Sequence, residues 1–259
     1  MDLGLSGRRA IVCASSRGLG RACALALARE GADVVINGLT DAHLSATTDA
    51  ILAATGRRPV AILADVTTDA GRAALLDACP EPDILVNNNA GPQPGTLEDW
   101  DHGAWLAALE SNMLAGALLI RAVLPGMRER RFGRIVNITS AMVKSPHGAM
   151  GLSAAARAGL TAFSKAMSRE AARDNVTINS LMPEKFDTDR IRFMTRRLAR
   201  AKAIGDDEAR EWIIREIPAR RLGRPEEFGD ACAFLCAAQA GYICGQSLQM
   251  DGGAYAGLF

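Results

Sequence analysis

The sequence predicts a single α/β domain built on a doubly wound, mostly parallel seven-stranded sheet with helices on both faces. Short runs of aliphatic and β-branched residues alternate with longer segments of helical pattern along the whole chain. The short runs are apolar throughout, which indicates strands that are covered on both faces and therefore parallel. Regular alternation of strand and helix favours right-handed crossovers within one sheet.

The elements follow one another without a repeat, a low-complexity tract or a linker, so residues 1–259 are predicted to form one domain. Strands are expected at 10–13, 33–36, 59–64, 83–87, 133–139, 176–182 and 246–250. Helices are expected at about 18–30, 41–54, 68–79, 100–130, 152–173, 190–215 and 225–238.

The composition narrows the possible partners and location. Lys and Arg total 30 and Asp and Glu total 29, so neither nucleic acid nor a membrane is expected as a partner. The first ten residues hold no apolar run of signal-peptide length, and a cytoplasmic protein is expected. The six cysteines show no CxxC spacing and no histidine that would complete a zinc set. They are predicted to be buried free thiols, and no metal site is expected.

The first strand runs directly into a glycine-containing turn, ASSRGLG at 14–20, and a helix follows it. Glycine lets the backbone approach a pyrophosphate, and the free N–H groups at a helix N-terminus bind it. This arrangement predicts a Rossmann-type dinucleotide site. The residues expected to bind the cofactor here are Ser15, Arg17, Gly18, Leu19 and Gly20.

With this turn in place, the chain resembles the short-chain dehydrogenase/reductase family over nearly its full length. The segment CASSRGLG at 13–20 matches that family's Thr-Gly-x-x-x-Gly-x-Gly motif except at its first two positions. Ala14 replaces the first glycine of the motif. Its Cβ is harmless if φ is negative and costs about 1 kcal/mol or more if φ is positive.

Further matches extend the resemblance along the chain. Pro183 matches the proline of a Pro-Gly pair after the sixth strand, but Glu184 replaces the glycine. The segment DGG at 251–253 matches the C-terminal signature. The resemblance implies cofactor contacts at Asp65, Val66, Asn88, Ala90, Pro183 and Thr188.

The Asn-Asn-Ala-Gly motif of the family aligns with NNNAG at 87–91, a segment that is one residue longer than the motif. Counted from the fourth strand the matched set is 87–90, and Ala90 takes the glycine position. Counted from the glycine it is 88–91. We favour the first alignment, because the length of a strand is harder to change than the sequence of a loop.

The second strand ends without the carboxylate that selects NAD by binding the ribose 2′-OH. Arg17 lies in the glycine turn, where relatives that use NADP often pair an arginine with the 2′-phosphate. A guanidinium suits a phosphate through bidentate hydrogen bonds. The predicted cofactor is therefore NADP(H), with NAD(H) as the alternative.

The resemblance also implies a catalytic set of asparagine, serine and Tyr-x-x-x-Lys. Asn112 matches the asparagine and Ser140 the serine, but Ser153 stands at the tyrosine position and Arg157 at the lysine position. The surrounding helix fits the family pattern, so the substitutions are real. An aliphatic hydroxyl is far less acidic than a phenol, and Arg157 stays charged. Arg157 is expected to bind ribose hydroxyls without moving a proton.

Three interpretations of this altered site stay open. The first is a reductase with an unusual acid, for which His147 is the main candidate and Lys144 a weaker one. The second is hydride transfer with a water held by Ser140, Ser153 and Asn112. The third is a nucleotide-binding or assembly protein without turnover. The chain resembles most a subgroup similar to 3-oxoacyl-carrier-protein reductases that carries Ser-x-x-x-Arg and a loop like GPQPG at 91–95.

The resemblance places a substrate lid at about 186–216, after the sixth strand. Apolar residues Ile191, Met194, Leu198 and Ala201 recur there at helical spacing, with six basic residues mostly on the other sides. The segment is either a basic lid for an anionic substrate, such as a phosphopantetheine-linked acyl group, or a solvated face. A small-molecule or acyl-carrier substrate is expected. The family likeness implies a homotetramer, or a dimer, with the alanine-rich face 154–158 allowing close helix approach.

Overall fold

The computed structural model describes residues 2–258 and contains a seven-stranded sheet in which every strand is parallel to its neighbours. The strands are β1 (Arg9–Val12), β2 (Asp33–Gly38), β3 (Val60–Leu63), β4 (Ile84–Asn87), β5 (Gly133–Ile138), β6 (Val176–Pro183) and β7 (Ser247–Met250). Their order across the sheet is β3-β2-β1-β4-β5-β6-β7. The predicted fold class is confirmed, with a sheet that is wholly parallel.

Nine α-helices connect the strands within the described residues. They are α1 (Gly18–Arg29), α2 (Asp41–Thr55), α3 (Asp69–Ala78), α4 (His102–Leu109), α5 (Ala115–Glu129), α6 (Gly151–Ala171), α7 (Asp189–Lys202), α8 (Asp206–Arg215) and α9 (Pro225–Cys236). The helix expected at 100–130 contains one π-helical turn, Glu110–Leu114, between α4 and α5. The region expected to be helical at 190–215 divides into α7 and α8.

Successive side chains of a strand point to opposite sides, and both sides are buried in the middle of the sheet, whereas the edge strand β3 is largely exposed. Val12, Ile36 and Val86 pack on one face with residues of α1, α2 and α9. Ile11 and Leu85 pack on the other face with residues of α5 and α6. This explains why the central strands are mostly apolar, with buried polar residues such as Arg134 and Asn137 of β5 as exceptions.

Five of the six cysteines lie in these two layers. All six are free thiols, and five of them are buried while Cys244 is half-buried. Burial raises the pKa of the Cys13 thiol to about 12, so that thiol is protonated and unreactive at neutral pH. Within residues 2–258, no group of three or more His, Cys, Asp or Glu side chains is arranged to hold a metal ion.

One helical stretch, His102–Glu129, is long and apolar enough to cross a membrane by length and composition alone. Its residues Leu119, Ile120, Val123 and Met127 are buried against the sheet. Core helices pass the same test of composition, and these contacts are those of a core helix.

The segment between β6 and β7 carries α7, whose buried side is not quite the predicted one. Ile191 is buried, and it shares a small apolar cluster with residues of α8 and the chain beyond it. Thr195 and Ala199 are also buried, while Ala201 is exposed. The prediction that Ala201 belongs to the buried apolar stripe was therefore wrong. A helix turns every 3.6 residues, and the buried stripe follows that period to Ala199 rather than to Ala201.

The alanine-rich face of α6 is largely used inside the chain. Ala154 and Ala156 are buried, and Ala155 is exposed. Close approach of another subunit's helix at 154–158 stays a prediction, and Ala155 is the exposed alanine of this segment.

Candidate active site

A cavity of about 670 Å³ opens at the carboxyl ends of the strands. The chain order reverses at β1, which lies between β2 and β4, and doubly wound sheets bind ligands at such a switch point. The walls come from the loops after β1 to β6, from the first turns of α6 and from α7. Most residues that the sequence singled out meet here.

The glycine turn is held tightly at the mouth of β1. Gly18 has φ +58°, and a Cβ at Gly20 would lie 2.3 Å from the Ala14 carbonyl oxygen, so only glycine fits there. Ala14 itself has φ +43°, which places its Cβ in the costly left-handed region. Its N–H donates to Asn37 Oδ1 at 3.0 Å, and its carbonyl accepts from Asn88 Nδ2 at 3.1 Å.

Ser15 does not present its side chain to the cavity. It is fully buried, its hydroxyl donates to the Val12 carbonyl at 2.6 Å, and it accepts from the Asn37 N–H at 3.0 Å. The prediction of Ser15 as a cofactor contact is corrected to a role in shaping the turn. Ser16 lies in the cavity wall instead.

The N-terminus of α1 is fitted to an anion. No side chain caps it at Arg17, and Gly18 and Leu19 lie in the cavity wall. The free N–H groups of a first helical turn carry partial positive charge and bind phosphate. Together with the close approach at Gly20, this turn suits a dinucleotide pyrophosphate.

The end of the cavity beside β2 contains no carboxylate on that strand, as the sequence indicated. Arg17 also lines the cavity. Its side chain is 63% exposed, and its Nη1 lies 3.6 Å from Asp189 Oδ2. His43 from α2 lines the same end and was not singled out by the sequence analysis. The remaining predicted cofactor contacts in the cavity wall are Asp65, Val66, Asn88, Ala90, Pro183 and Thr188.

Arg157 occupies the centre of the site with no carboxylate partner in the described part of the chain. Its guanidinium donates to the carbonyls of Ile138 at 2.9 Å, Thr139 at 2.5 Å and Asn89 at 3.4 Å. Burial, and to a lesser degree the charge of Arg190, lowers its pKa to about 10. Arg157 is thus still cationic at neutral pH, and most of its hydrogen bonds tie the end of β5 to the loop after β4.

Ser153 and Ser140 lie together in the cavity wall. Ser153 is buried, and its hydroxyl accepts from Arg157 Nε at 3.2 Å. Ser140 Oγ accepts from the Met142 N–H at 3.2 Å. Among residues 2–258, neither Tyr242 nor Tyr255 lines this cavity. No phenol therefore takes over the position that Ser153 holds.

Asn112 lies behind the main cavity rather than in its wall. It sits in the π-helical turn, is buried, and donates from Nδ2 to the Ala90 carbonyl at 3.2 Å. It lines a second cavity of about 20 Å³, large enough for one water. Arg157 is one of the residues that line both cavities and so lie between Asn112 and the open site.

His147 is placed outside the cavity wall. It is exposed, and its Nδ1 accepts from the Ala149 N–H at 3.3 Å, which caps a short 3₁₀ turn. Lys144 is exposed as well, with Nζ 5.6 Å from the centre of the Tyr255 ring. The structure brings neither candidate acid into the wall beside Ser153.

Glu184 is a titratable group in the cavity wall to which the sequence analysis gave no role. It directly follows Pro183 at the end of β6, and its side chain is 26% exposed. Burial raises the pKa of its carboxyl, the neighbouring Lys185 lowers it, and Asp251 and Glu216 raise it further. The sequence did contain a sign that Glu184 belongs to the site, because an ionisable residue replaces the family's glycine at the end of β6.

These features define a nucleotide-binding α/β protein with its site at the carboxyl ends of a doubly wound sheet. Residues 13–255 match the family model described as enoyl-(acyl carrier protein) reductase. The chain belongs to the short-chain dehydrogenase/reductase family, as its motifs indicated.

Similar proteins cover nearly the whole chain. The 3-oxoacyl-(acyl-carrier-protein) reductase of Escherichia coli is 34% identical over 257 residues, covering 98% of this chain and 99% of the relative. The enzyme of the same name from Pseudomonas aeruginosa is 35% identical over 262 residues, with 98% and 99% covered. The L-sorbose reductase of Gluconobacter frateurii, solved with NADPH and L-sorbose, has TM-score 0.94 at 28% identity, with 100% of both chains covered.

Proposed function

We propose that this protein is an NADP(H)-dependent oxidoreductase that transfers hydride between the cofactor and a carbonyl or hydroxyl group. The supporting observation is that the uncapped N-terminus of α1 and the pair Ser140 and Ser153 share one cavity. The similar reductases of the family, one of them solved with NADPH, support the same activity. NAD(H) remains the alternative cofactor.

The chain would hold the cofactor along the whole cavity. The first turn of α1 would bind the pyrophosphate, and Arg17 would pair with a 2′-phosphate. Asp65 and Val66 would contact the adenine, and Thr188 the nicotinamide carboxamide. When bound, the nicotinamide supplies or accepts the hydride.

The two serine hydroxyls would orient the substrate oxygen. Ser153 accepts a hydrogen bond from Arg157, which leaves its own proton free to donate a hydrogen bond to that oxygen. Donating a hydrogen bond is within the reach of an aliphatic hydroxyl, whereas giving up its proton near neutral pH is not. The proton that balances the hydride therefore comes from a group other than Ser153.

The proposed substrate is an acyl-type or small carbonyl compound that carries an anionic group. Arg190 and Arg196 of α7 line the cavity, and neither forms an ion pair with any described residue. Arg190 donates to the Pro92 carbonyl at 3.2 Å, which leaves its charge uncompensated. Uncompensated cations in a cavity favour a carboxylate or phosphate. In this proposal 186–216 is the substrate lid.

The proposed setting is the cytoplasm, in a homotetramer or dimer. Leu106 of α4 and Leu114 of the π-helical turn are 54% and 41% exposed, and an apolar contact with another subunit would cover them. Light scattering of the purified protein tests this proposal. A monomer at micromolar concentration would contradict it.

The test of the function is steady-state oxidation of NADPH with a panel of β-ketoacyl thioesters and small ketones, some bearing a carboxylate or phosphate. Turnover that is faster with the anionic members is expected. Tight NADPH binding without oxidation on any member would instead support a nucleotide-binding protein without turnover. NADH bound more tightly than NADPH would overturn the cofactor preference.

A further inference from the structure

The altered site needs a proton source, and the ionisable groups in the cavity wall are few. Apart from four arginines, they are His43, Asp65, Glu184, Lys185 and Asp189. Arginine stays charged in proteins and moves no proton. Arg17, His43 and Asp65 lie at the end beside β1, β2 and β3. Asp189 is held in an ion pair by Arg192 at 2.6 Å, and Lys185 by Glu216 at 3.2 Å.

Glu184 leaves the sheet at the end of β6, the strand next to the one that ends before Ser140. The Thr139 N–H donates to the Leu181 carbonyl at 2.9 Å, which joins the ends of β5 and β6. Ser140 is the next residue after Thr139, and Glu184 follows Leu181 by three residues. Ser140 and Glu184 therefore follow the ends of two adjacent strands, and both line the same cavity.

The backbone at Glu184 is fixed in place. Its N–H donates to the Met250 carbonyl at 3.0 Å, which extends the pairing of β6 with β7. The next residue, Lys185, has φ +56°, a left-handed conformation that costs about 1 kcal/mol or more for a residue with a Cβ. Such strain is kept where surrounding structure enforces it, which is common at functional sites.

The surroundings of Glu184 favour its protonated form. Lys185 Nζ lies 3.8 Å from the Glu184 carboxylate but 3.2 Å from Glu216 Oε2. The positive charge of Lys185 is therefore shared between two carboxylates. Asp251, after β7, adds a second negative charge. Burial of the carboxyl group is the largest influence, and it raises the pKa of Glu184 toward the working range of a general acid.

We propose that Glu184 is the catalytic residue that exchanges a proton with the substrate oxygen, in place of the phenol that this site lacks. This inference rests on the proposed function. In reduction, the O–H bond of Glu184 breaks and the O–H bond of the product alcohol forms. The electron pair of the carbonyl π bond takes up that proton, while the transferred hydride bonds to the carbon. Glu184 is left as a carboxylate and regains its proton from solvent through its exposed edge.

The test compares the wild-type protein with Glu184→Gln, which keeps the shape and removes the proton. Glu211→Gln is the matched control, because Glu211 is an exposed carboxylate on α8 outside the cavity. We expect kcat of Glu184→Gln to fall by about 10²-fold or more, with KM and NADPH affinity nearly unchanged. Glu211→Gln is expected to keep wild-type rates.

The pH profile separates a chemical role from a structural one. The reduction rate of the wild type should decline as pH rises through the pKa of Glu184, and Glu184→Gln should lack that decline. The same pKa should appear in a ¹³C titration of the labelled glutamate carboxyls, as a signal absent from the variant. A Glu184→Asp variant should keep part of the pH-dependent rate.

The outcomes are distinguishable. Wild-type turnover with an equal kcat and an equal pH profile in Glu184→Gln would overturn the role of Glu184 and leave the oxidoreductase function standing. NADPH binding without turnover in either protein would overturn the proposed function, and the proton-donor role with it.

Discussion

Ala14 carries backbone strain at the point where the chain leaves β1. Its φ of +43° is enforced by two hydrogen bonds, one to Asn37 and one from Asn88. A residue with a Cβ in this region loses about 1 kcal/mol relative to glycine. The turn is therefore kept in a glycine-like conformation by its neighbours.

We expect Ala14→Gly to stabilise the protein by about 0.5–1 kcal/mol, because the relief of strain outweighs the added freedom of the unfolded chain. The free energy of unfolding in urea is the measurement. Ala46→Gly, in the exposed part of α2, is the control and should destabilise by about 1 kcal/mol. Equal destabilisation by both changes would contradict the strained geometry.

Arg17 is expected to decide between the two nicotinamide cofactors. Arg17→Ala should weaken NADPH binding by about tenfold and NADH binding little, because only NADPH offers a 2′-phosphate to the guanidinium. Fluorescence titration with each cofactor measures this difference. Arg21→Ala, one turn further along α1 and outside the cavity wall, should change neither affinity. A similar loss for both cofactors in Arg17→Ala would refute the role.

Glu184 should also make the free energy of unfolding depend on pH. Its pKa is raised in the folded protein, so the folded state binds the proton more tightly than the unfolded state does. Stability is then lost as pH rises from the ordinary range of a glutamate through the folded pKa. The Tm of the wild type should fall relative to Glu184→Gln as pH rises above the ordinary range of a glutamate, about pH 4. A constant difference above that pH would show that the pKa is not raised.

The contact between α1 and α9 depends on a glycine. A Cβ on Gly229 of α9 would lie 2.4 Å from the Ala22 carbonyl oxygen of α1, so the two helices could not keep their separation. Gly126 of α5 is also inside a helix, but a Cβ there would meet only the end of the flexible Arg130 side chain.

Gly229→Ala should therefore destabilise the protein by more than about 2 kcal/mol, through overpacking of the core. Gly126→Ala should instead stabilise it by up to about 1 kcal/mol, because alanine is the better helix former. Thermal unfolding of the two variants beside the wild type tests the pair. Similar Tm values for both variants would argue against the close packing of α1 on α9.

The strands and helices could be predicted closely, since apolar runs and helical periodicity are local properties of the sequence. The π-helical turn at Glu110–Leu114 could not, because one extra residue in a turn leaves the periodicity of a long helix nearly unchanged. Its consequence is that Asn112 points toward the Ala90 carbonyl behind the site. The buried side of α7 was predicted in part, because the buried positions Ile191, Thr195 and Ala199 include a polar residue and Ala201 faces solvent.

At the scale of the whole molecule, the site assembles from strand ends that are far apart in sequence. The glycine turn, Ser140 and Ser153 could be located because each sits in a motif with fixed spacing. The positions of Glu184, Arg190 and Arg196 follow from how β6 and α7 pack against the sheet. His147 could not be placed from the sequence. It lies between Ser140 and Ser153 in the chain, but it does not line the cavity.

We propose that the fold supplies a working hydride-transfer site in which Ser153 positions the substrate but does not protonate it. The most direct test is NADPH oxidation by the wild type and Ser153→Ala on the same carbonyl substrate. We predict turnover by both, with a loss of about tenfold or less in the variant, the size of one neutral hydrogen bond. Loss of about 10²-fold or more, as for removal of a general acid, or no turnover by the wild type, would contradict the account.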